Sequence, residues 1–390
     1  MKSTDLAAFF NLICILAMAT PCVASDSNKL RHRWNDRLEA ELAELSDEDQ
    51  EHPRNILIVS KASAGEIEEA ISIVSDVVPR ERRAEMLGYV AACQAQAGEL
   101  RGATETVNLI ASSVSRQFAW KRVIQVLASV RRLDDARNLL KHLDEISIRD
   151  DVLALLALAH AKEGAFEVAS ETAETISSKD IRNDVAAKIR TVRGGEINPI
   201  EKLKRGYIRD QISVLTAFSG PNAYREPILA IAAAQNGDAA SLDRLAKAAT
   251  DDAGTSLLEP RLSTTSVLLA VAFANSGNTA KAKRLINAGY EASGRDDRFG
   301  TVNAFGSPIL VYLMIQLEMQ QLLLEDFART RSEGGRTSEQ TLQAMGAAFA
   351  ELERLESGEE IYKTLRNPVE KSNFCVGVLT GLDYLQRTKP

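Results

Sequence analysis

A period of 33 residues constrains what this chain can fold into more than any other feature of the sequence. Between about Asn55 and Val192, four units share a turn residue, an alanine three positions before it and another alanine five positions after it. The three registers are Gly65, Gly98, Arg131 and Gly164; Ala62, Ala95, Ala128 and Ala161; and Ala70, Ala103, Ala136 and Ala169. Self-similarity at a fixed period in this range indicates stacked structural repeats.

Each unit reads as a helical hairpin. In the second unit Val90 and Ala91 mark the apolar face of one helix, and Val107 and Ile110 mark that of the next. Gly98 between them suits a helix C-cap, because glycine adopts the left-handed backbone conformation without steric cost. The alanines allow the two helices to approach closely. Since one hairpin cannot bury its own apolar side, neighbouring hairpins must stack.

This pattern resembles the tetratricopeptide repeat over residues 55–195. The period is one residue shorter than the 34 of that family. Of the positions where the family favours an early aromatic, Leu87, Trp120 and Leu153, only Trp120 conforms. The resemblance implies an all-α fold, a right-handed superhelical solenoid of stacked antiparallel helix pairs with an inner groove.

The resemblance also implies which residues line that groove. They are Phe118, Lys121, Gln125, Asp151 and Leu158, with Ala154 and Ala161 beside them. Some members of the family clamp a peptide carboxylate with a set of basic and amide residues. In this chain only Lys121 and Gln125 resemble members of that set. We therefore expect a protein or peptide segment held by shape and scattered polar contacts.

Residues 1–24 read as an export signal. Lys2 gives a weakly basic start, Leu6–Ala19 is apolar but too short to span a bilayer, and Cys22-Val23-Ala24 places small residues before a cut. We expect a soluble mature chain that starts at Ser25, carries no stable membrane span and reaches the periplasm or the extracellular space. This interpretation is preferred to a lipoprotein or an anchored protein.

Residues 25–54 form a polar arm with two interpretations. Leu38, Leu42 and Leu45 stand at helical spacing, which predicts a short amphipathic helix against the first repeat, ended by Pro53. The alternative is a solvated, partly disordered arm. The basic cluster Lys29, Arg31 and Arg33 could contact a membrane surface, which is the third of the functions considered for this chain.

Residues 196–390 predict less regular helical repeats with capping helices at the C-terminus. Gly194-Gly195 breaks the regular pattern, and a helix is predicted from Ile200 to Ala217. Hairpins resume around Gly237 and Gly277, the second with helices over Thr264–Asn275 and Thr279–Ala292. The apolar run Ile309–Ile315 predicts a buried helix that continues to Gly334-Gly335.

Neither the charge nor the motifs of this chain predict nucleic-acid binding or catalysis. The formal charge is −7, and residues 1–24 contribute one acid and one base, so residues 25–390 keep the same charge. Nucleic-acid binding would instead favour a basic domain with clustered Lys and Arg. No metalloprotease, P-loop, nucleophile-elbow or Ser-x-x-Lys motif occurs. No two of the four histidines stand at metal-ligand spacing, and His160 reads as a partly exposed polar residue. We expect no cofactor, metal or catalytic residue, and free, buried thiols at Cys93 and Cys375.

An arginine recurs once per unit, at Arg83, Arg116, Arg149 and Arg182. One interpretation is a surface that grips carboxylates or phosphates. The other, which we favour, is that each arginine reaches the carbonyl end of the preceding helix.

The leading functional interpretation is an exported, non-catalytic scaffold or adaptor that binds a protein or peptide. The alternative is a cell-envelope enzyme, such as a glycan hydrolase, with an active site in the C-terminal half. Glu318, Asp326 and Glu333 are the acids in that half that this alternative would use.

Overall fold

The computed structural model describes residues 25–194, 199–204, 206–219, 224–252, 264–292, 307–325 and 339–388. The predicted export signal at residues 1–24 lies outside these ranges. All secondary structure in the described ranges is helical, which confirms the all-α fold class. None of the helices described there is both long and apolar enough to cross a membrane. The chain divides into two compact units, with the boundary between Ile197 and Asn198.

The described part of unit 1 is a series of four antiparallel helix pairs, with one extra helix before them and one after them. Its helices are α1 (Ser25–Leu42), α2 (Asp47–Ser63), α3 (Ile67–Asp76), α4 (Arg80–Gln96), α5 (Leu100–Asn108), α6 (Ser113–Ser129), α7 (Leu133–Asn138), α8 (Ile146–Lys162), α9 (Phe166–Glu174) and α10 (Lys179–Arg193). The short helix α7 continues as a 3₁₀ turn over Leu139–His142. Each first helix, from α2 to α8, packs against its partner and against the next first helix, as in a helical repeat.

The residue that joins the two helices of a pair has the left-handed conformation predicted from the glycine register. Gly65, Gly98 and Gly164 have φ angles of 88°, 94° and 80°. The turn residue donates its backbone N–H to the carbonyl three residues earlier, and the next residue donates to the carbonyl five residues before itself. These two bonds define the Schellman motif, which satisfies the last carbonyls of the first helix.

Within the described ranges, non-glycine residues occupy the same conformation at three turns. Arg131, in the third hairpin, has φ of 63°, and Glu318 and Glu353, in unit 2, have φ of 59° and 57°. Both hydrogen bonds of the motif are kept at all three. A side chain in this region is disfavoured by contact between Cβ and the following carbonyl. These turns therefore carry local strain.

We expect Arg131→Gly and Glu353→Gly to stabilise the protein by about 1 kcal/mol each, because glycine removes that strain. Gly164→Ala is the matched reverse change and should destabilise by a similar amount. Denaturant unfolding of the three variants measures this directly. Equal midpoints for Gly164→Ala and the unaltered chain would contradict the strained-turn explanation.

The 33-residue register extends to the start of the first helices. Ser46, Ser112 and Ser178 are the N-caps of α2, α6 and α10, and each accepts a hydrogen bond from a backbone N–H three residues on, at 3.2 to 3.5 Å. The first hairpin therefore begins at Ser46. Pro53 lies inside α2 and does not end the preceding segment as predicted.

Helix α1 confirms the amphipathic interpretation of the polar arm. Its buried face contains Leu38 and Leu42 and is completed by Trp34 and Arg31, both fully buried. Arg31 Nη1 donates to Ser60 Oγ of α2 at 3.4 Å. Burial of Arg31 against α2 removes the central cation from the basic cluster that would have met a membrane surface.

Lys61 connects α1 to the first hairpin. Its ammonium lies 3.5 Å from Glu39 of α1, 3.3 Å from Glu66 and 2.8 Å from Glu69. Burial alone would lower the pKa of Lys61, but the hydrogen bond that Lys61 donates to Glu69 and the charges of Glu39 and Glu66 outweigh it and raise that pKa to about 12. Lys61 therefore stays charged at all physiological pH values.

Unit 2 repeats the hairpin design with longer connections. Its helices are α11 (Tyr207–Ser219), α12 (Arg225–Gln235), α13 (Ala239–Asp252), α14 (Thr264–Asn275), α15 (Thr279–Ala292), α16 (Ser307–Gln316), α17 (320–325), α18 (Glu339–Glu351), α19 (Leu355–Thr364) and α20 (Pro368–Thr388). The bounds of α14 and α15 are those predicted. The helix predicted from Ile200 instead begins at Tyr207, after a separate 3₁₀ turn at Pro199–Lys202 and Gly206 with φ of 154°. The helix over the apolar run ends at Gln316; the predicted end, Gly334-Gly335, lies outside the described ranges.

Helices α18 and α20 meet through glycine. A Cβ added to Gly377 of α20 would lie 2.1 Å from the carbonyl oxygen of Gln343, and one added to Gly381 would lie 2.4 Å from that of Ala347. Conversely, a Cβ on Gly346 of α18 would lie 2.3 Å from the carbonyl oxygen of Phe374. The backbones are therefore in direct contact, with no room for any side chain between them.

Candidate functional site

The face of α6 that contains Phe118 carries three exposed side chains. Val114, Phe118, Lys121 and Gln125 are spaced by four, three and four residues, which places them on one side of the helix. Val114 is 51% exposed and Phe118 53% exposed, while Gln125 is exposed and Lys121 half-buried. The structure thus places three predicted groove residues on one surface. Val114, four residues before Phe118, belongs to it but was not predicted.

The structure brings two of the predicted residues into direct contact. Lys121 Nζ of α6 donates to Asp151 Oδ2 of α8 at 2.6 Å. Leu158 is half-buried and packs against the core between α8, α9 and α10, so only part of it lines the surface. Ala161 is buried in the same core and does not line it.

We call the exposed side chains along α6, α8 and α10 the first-helix wall. Its α6 part is the four residues above, and its α8 part is the exposed Ser147 and Asp151 with the half-buried Ala154 and Leu158. On α10 the same register gives Asp180, Asp184, Ala187 and Thr191, all exposed. The wall therefore spans three consecutive first helices of unit 1.

The wall does not continue onto α4. Its equivalent positions there include Gly88 and Ala92, which are buried. Arg122 of α6 covers this place: its guanidinium lies 3.6 Å from the ring centroid of Tyr89, and its Nη1 donates to the Glu85 carbonyl at 3.2 Å. A Cβ on Gly88 would lie 3.1 Å from that Nη1. Glycine at this position therefore leaves space for the Arg122 side chain. Because Arg122 covers this part of α4, the first-helix wall ends at α6.

Two arginines of the ladder have structural contacts. Arg83 Nε donates to the Val78 carbonyl at 2.8 Å, and Arg182 Nη2 donates to the Ser177 carbonyl at 3.3 Å. Both carbonyls belong to the connection that follows the preceding second helix. These contacts favour the structural interpretation over an anion-binding stripe at Arg83 and Arg182.

A second position that recurs every 33 residues, not recognised in the sequence, holds such connections through hydrogen bonds. Gln117 Oε1 accepts from the backbone N–H groups of Asp144 and Glu145 at 3.1 and 2.7 Å. One period later, the buried Asp150 accepts from the N–H groups of Ser177 and Ser178 at 2.9 and 2.8 Å. Gln117 and Asp150 stand 33 residues apart, which is the signal that would have identified them.

Of the three acids named for the enzyme alternative, the described ranges contain Glu318 alone. Glu318 is the strained turn residue after α16; its side chain is 70% exposed and lies 3.3 Å from Arg354. Asp326 and Glu333 lie outside the described residues. Glu318 thus has the role of a turn residue in the described structure.

Unit 2 contains a different group of acids and tyrosines that the sequence did not indicate. Glu351 accepts from the Tyr207 backbone N–H at 3.1 Å and from the Tyr312 hydroxyl, and the Tyr384 hydroxyl donates to Asp210. The Tyr207 ring stacks on Tyr312 with centroids 5.7 Å apart. Burial, and then the charge of Glu351, raises the pKa of Tyr207 and Tyr312. Both tyrosines therefore remain neutral, and the group joins α11 to α16, α18 and α20.

Histidines and cysteines form no reactive arrangement in the described ranges. No group of three or more His, Cys, Asp or Glu side chains there is placed to hold a metal ion. His142 stacks on Trp120 with ring centroids 4.3 Å apart, and burial lowers its pKa, as it does that of His160. Cys93 and Cys375 are buried free thiols, as predicted.

His52 gives the protein a specific pH dependence. Burial lowers the pKa of His52 from 6.5 to about 4. The folded state therefore binds this proton less readily than the unfolded state, so stability present above pH 6.5 is lost as the pH falls towards 4. We expect the free energy of unfolding to fall by about 1 to 2 kcal/mol. This is less than the full pKa shift would give, because the ring is partly exposed. Urea unfolding of His52→Gln should show a flatter pH profile between these limits; an identical profile would contradict this assignment.

Comparison with known proteins adds no relationship to this geometry. A scan against protein-family models finds no match, and a search of curated proteins finds no significant similarity. The fold and the first-helix wall are therefore interpreted from the chain's own residues.

Proposed function

We propose that this chain is an exported, non-catalytic helical-repeat protein whose first-helix wall binds a segment of a protein or peptide, in the manner of a scaffold or adaptor. The proposal includes a tetratricopeptide-like, right-handed superhelical arrangement of the hairpins in unit 1. The constant 33-residue spacing of the turns and of the buried alanines in these hairpins supports that arrangement, because units of equal length stack with a constant rotation.

The observation that carries the proposal is the exposure of large apolar side chains in unit 1. Among the described residues, the large apolar side chains that remain exposed are Val77, Leu109, Val114, Phe118 and Ile146. All of them lie at connections between hairpins or in the first part of α6 and α8. Val114 and Phe118, one helical turn apart on α6, form a group that marks an interaction surface, whereas single exposed apolar side chains such as Val77 are ordinary.

Phe118 is the anchor we propose for the partner. Recognition concentrates in a few large side chains, and Phe118 is the aromatic residue on the wall. We expect Phe118→Ala to weaken partner capture about tenfold or more without changing thermal unfolding, because its side chain lies outside the core. Lys121→Glu should weaken capture too, but it should also lower stability slightly, because it replaces the Lys121–Asp151 ion pair by two carboxylates. Val77→Ala, which removes an exposed apolar side chain away from the wall, is the matched control and should leave capture unchanged.

The measurement is capture from a cell-envelope extract by the immobilised mature chain, followed by affinity determination with the isolated partner. Equal capture by Phe118→Ala and the unaltered chain would contradict the placement of the site. Hydrolysis of envelope glycans by the mature chain would instead support the enzyme alternative.

A further inference from the structure

The turn between α12 and α13 contains the single Asn-Gly dipeptide of this sequence. Asn236 is the C-cap of α12, and Gly237 occupies the left-handed turn position with φ of 74°. Both residues are exposed to solvent. A Cβ added to Gly237 would meet nothing within 4 Å, so no neighbouring group crowds the peptide bond that joins the two residues. The Asn236 amide and this peptide bond are therefore accessible to water.

The side-chain amide of an asparagine can react with the backbone nitrogen of the next residue, and glycine hinders this attack least because it has no side chain. The Gly237 nitrogen would form a bond to Cγ of Asn236, which closes a succinimide ring. The bond between Cγ and Nδ2 breaks, and Nδ2 leaves as ammonia with the proton of the Gly237 N–H. A water molecule then opens the ring at either carbonyl and gives aspartate or isoaspartate at residue 236.

The closed turn keeps the two reacting atoms apart. Asn236 has ψ of 1°, so the Gly237 nitrogen eclipses the Asn236 nitrogen and is rotated away from Cβ, which carries the reacting amide. The Gly237 N–H donates to the Ala234 carbonyl at 3.1 Å, and the Asp238 N–H donates to the Ala233 carbonyl at 2.9 Å. These bonds hold ψ in place and retain the proton that the attack must remove. Deamidation therefore requires the turn to open.

We propose that Asn236-Gly237 is a modification site, which deamidates when the turn between α12 and α13 opens and is protected while the turn is closed. This site is independent of the binding function proposed for the first-helix wall.

The products of the reaction oppose closure of the turn. An aspartate at residue 236 places a negative charge at the C-terminal end of α12, where the helix dipole disfavours it, and close in sequence to the carboxylate of Asp238. An isoaspartate adds an atom to the backbone inside both hydrogen-bonded rings of the turn, so the Schellman geometry is lost. Each opening that ends in reaction is therefore harder to reverse.

The test is incubation of the full mature chain in mildly alkaline buffer, with and without denaturing urea, followed by mass spectrometry of the tryptic peptide 226–244. A synthetic peptide of the same sequence, incubated in both buffers, gives the unprotected rate. We expect the native chain to deamidate at residue 236 at least about tenfold more slowly than the peptide, because reaction follows the open fraction. The urea-unfolded chain should react at the rate of the peptide. Equal rates in the native chain and the peptide would overturn the protection, and absence of product in urea would overturn the site.

Asp238→Ala tests whether opening of this turn controls the rate. Asp238 Oδ1 accepts from the Ser241 N–H at 3.0 Å at the start of α13, and loss of this cap favours opening. The native variant should deamidate about fivefold faster than the unaltered chain, once each is compared with a peptide of its own sequence. An unchanged rate would overturn the inference.

Asn236→Ser is the matched control for the chemistry, because the next hairpin has Ser276 at the equivalent position before its turn glycine. This variant should give no product in peptide 226–244 and keep the native circular dichroism; product there would place the reaction at another residue and overturn the site. Asn236→Asp should unfold at a lower urea concentration than Asn236→Ser. Equal midpoints would overturn the effect of the aspartate product on closure.

Discussion

Gly377→Ala is expected to destabilise unit 2 by more than about 3 kcal/mol, the largest effect of any single substitution considered for this protein. The new Cβ would lie 2.1 Å from the Gln343 carbonyl oxygen, 2.7 Å from its carbonyl carbon and 2.7 Å from its Cα. All three are backbone atoms of α18, so no side-chain rotation relieves the overlap. The helices would have to separate along a contact that also contains Gly346 and Gly381.

The gain in helix propensity from glycine to alanine, about 1 kcal/mol, offsets only part of this cost. Gly358→Ala, in α19, is the matched control: its Cβ would meet only the side chain of Phe349, at 3.1 Å. We expect a change within about 1 kcal/mol there. Denaturant unfolding followed by circular dichroism measures both, and a Gly377→Ala variant as stable as Gly358→Ala would contradict the backbone contact.

Ala103→Leu and Ala136→Leu are expected to destabilise unit 1 by about 1 to 3 kcal/mol each. Both alanines have no exposed surface and stand five residues after the left-handed turn, where the second helix meets its partner. A leucine needs space that close-packed interiors do not provide. Arg116→Ala and Arg149→Ala, from half-buried and exposed positions in the same unit, serve as controls and should change stability by about 0.5 kcal/mol or less.

The same unfolding measurements in urea decide between these expectations. Destabilisation by the arginine variants that equals or exceeds that of the alanine variants would show that the ladder contributes more than its contacts indicate. Loss of peptide capture in the arginine variants at unchanged stability would restore the anion-binding interpretation.

Local features of the fold were predictable because each depends on neighbours in sequence. The glycine turns, the buried alanines and the bounds of α14 and α15 follow from periodicity and from the conformational freedom of glycine. The same reasoning missed Glu318 and Glu353, because a turn residue with a side chain carries no sequence signal of its left-handed conformation. Their recognition required the backbone geometry itself.

Features that join distant residues were not predictable. The contact of Gly377 with Gln343 crosses between helices, and Tyr384 meets Asp210 across 174 residues. The candidate site was predictable only in part. Exposure of Phe118 and Gln125 was expected from the resemblance to the tetratricopeptide repeat, whereas the pairing of Lys121 with Asp151 and the burial of Ala161 depend on how α6, α8 and α9 pack.

The bonds between α11 and the C-terminal helices have a consequence for how unit 2 folds. In unit 1, the bond from Arg122 to Glu85 joins residues 37 apart, whereas in unit 2 the bond from Tyr207 to Glu351 joins residues 144 apart. Loop closure over this longer separation costs roughly 1.2 kcal/mol more, since each doubling of length adds about 0.6. The hairpins of unit 1 can therefore become ordered one after another, while α11 of unit 2 completes its contacts only once α16, α18 and α20 are in place. Removal of α20 would take away the Tyr384–Asp210 bond and the glycine contact with α18 together, so that the two ends of unit 2 would both lose contacts.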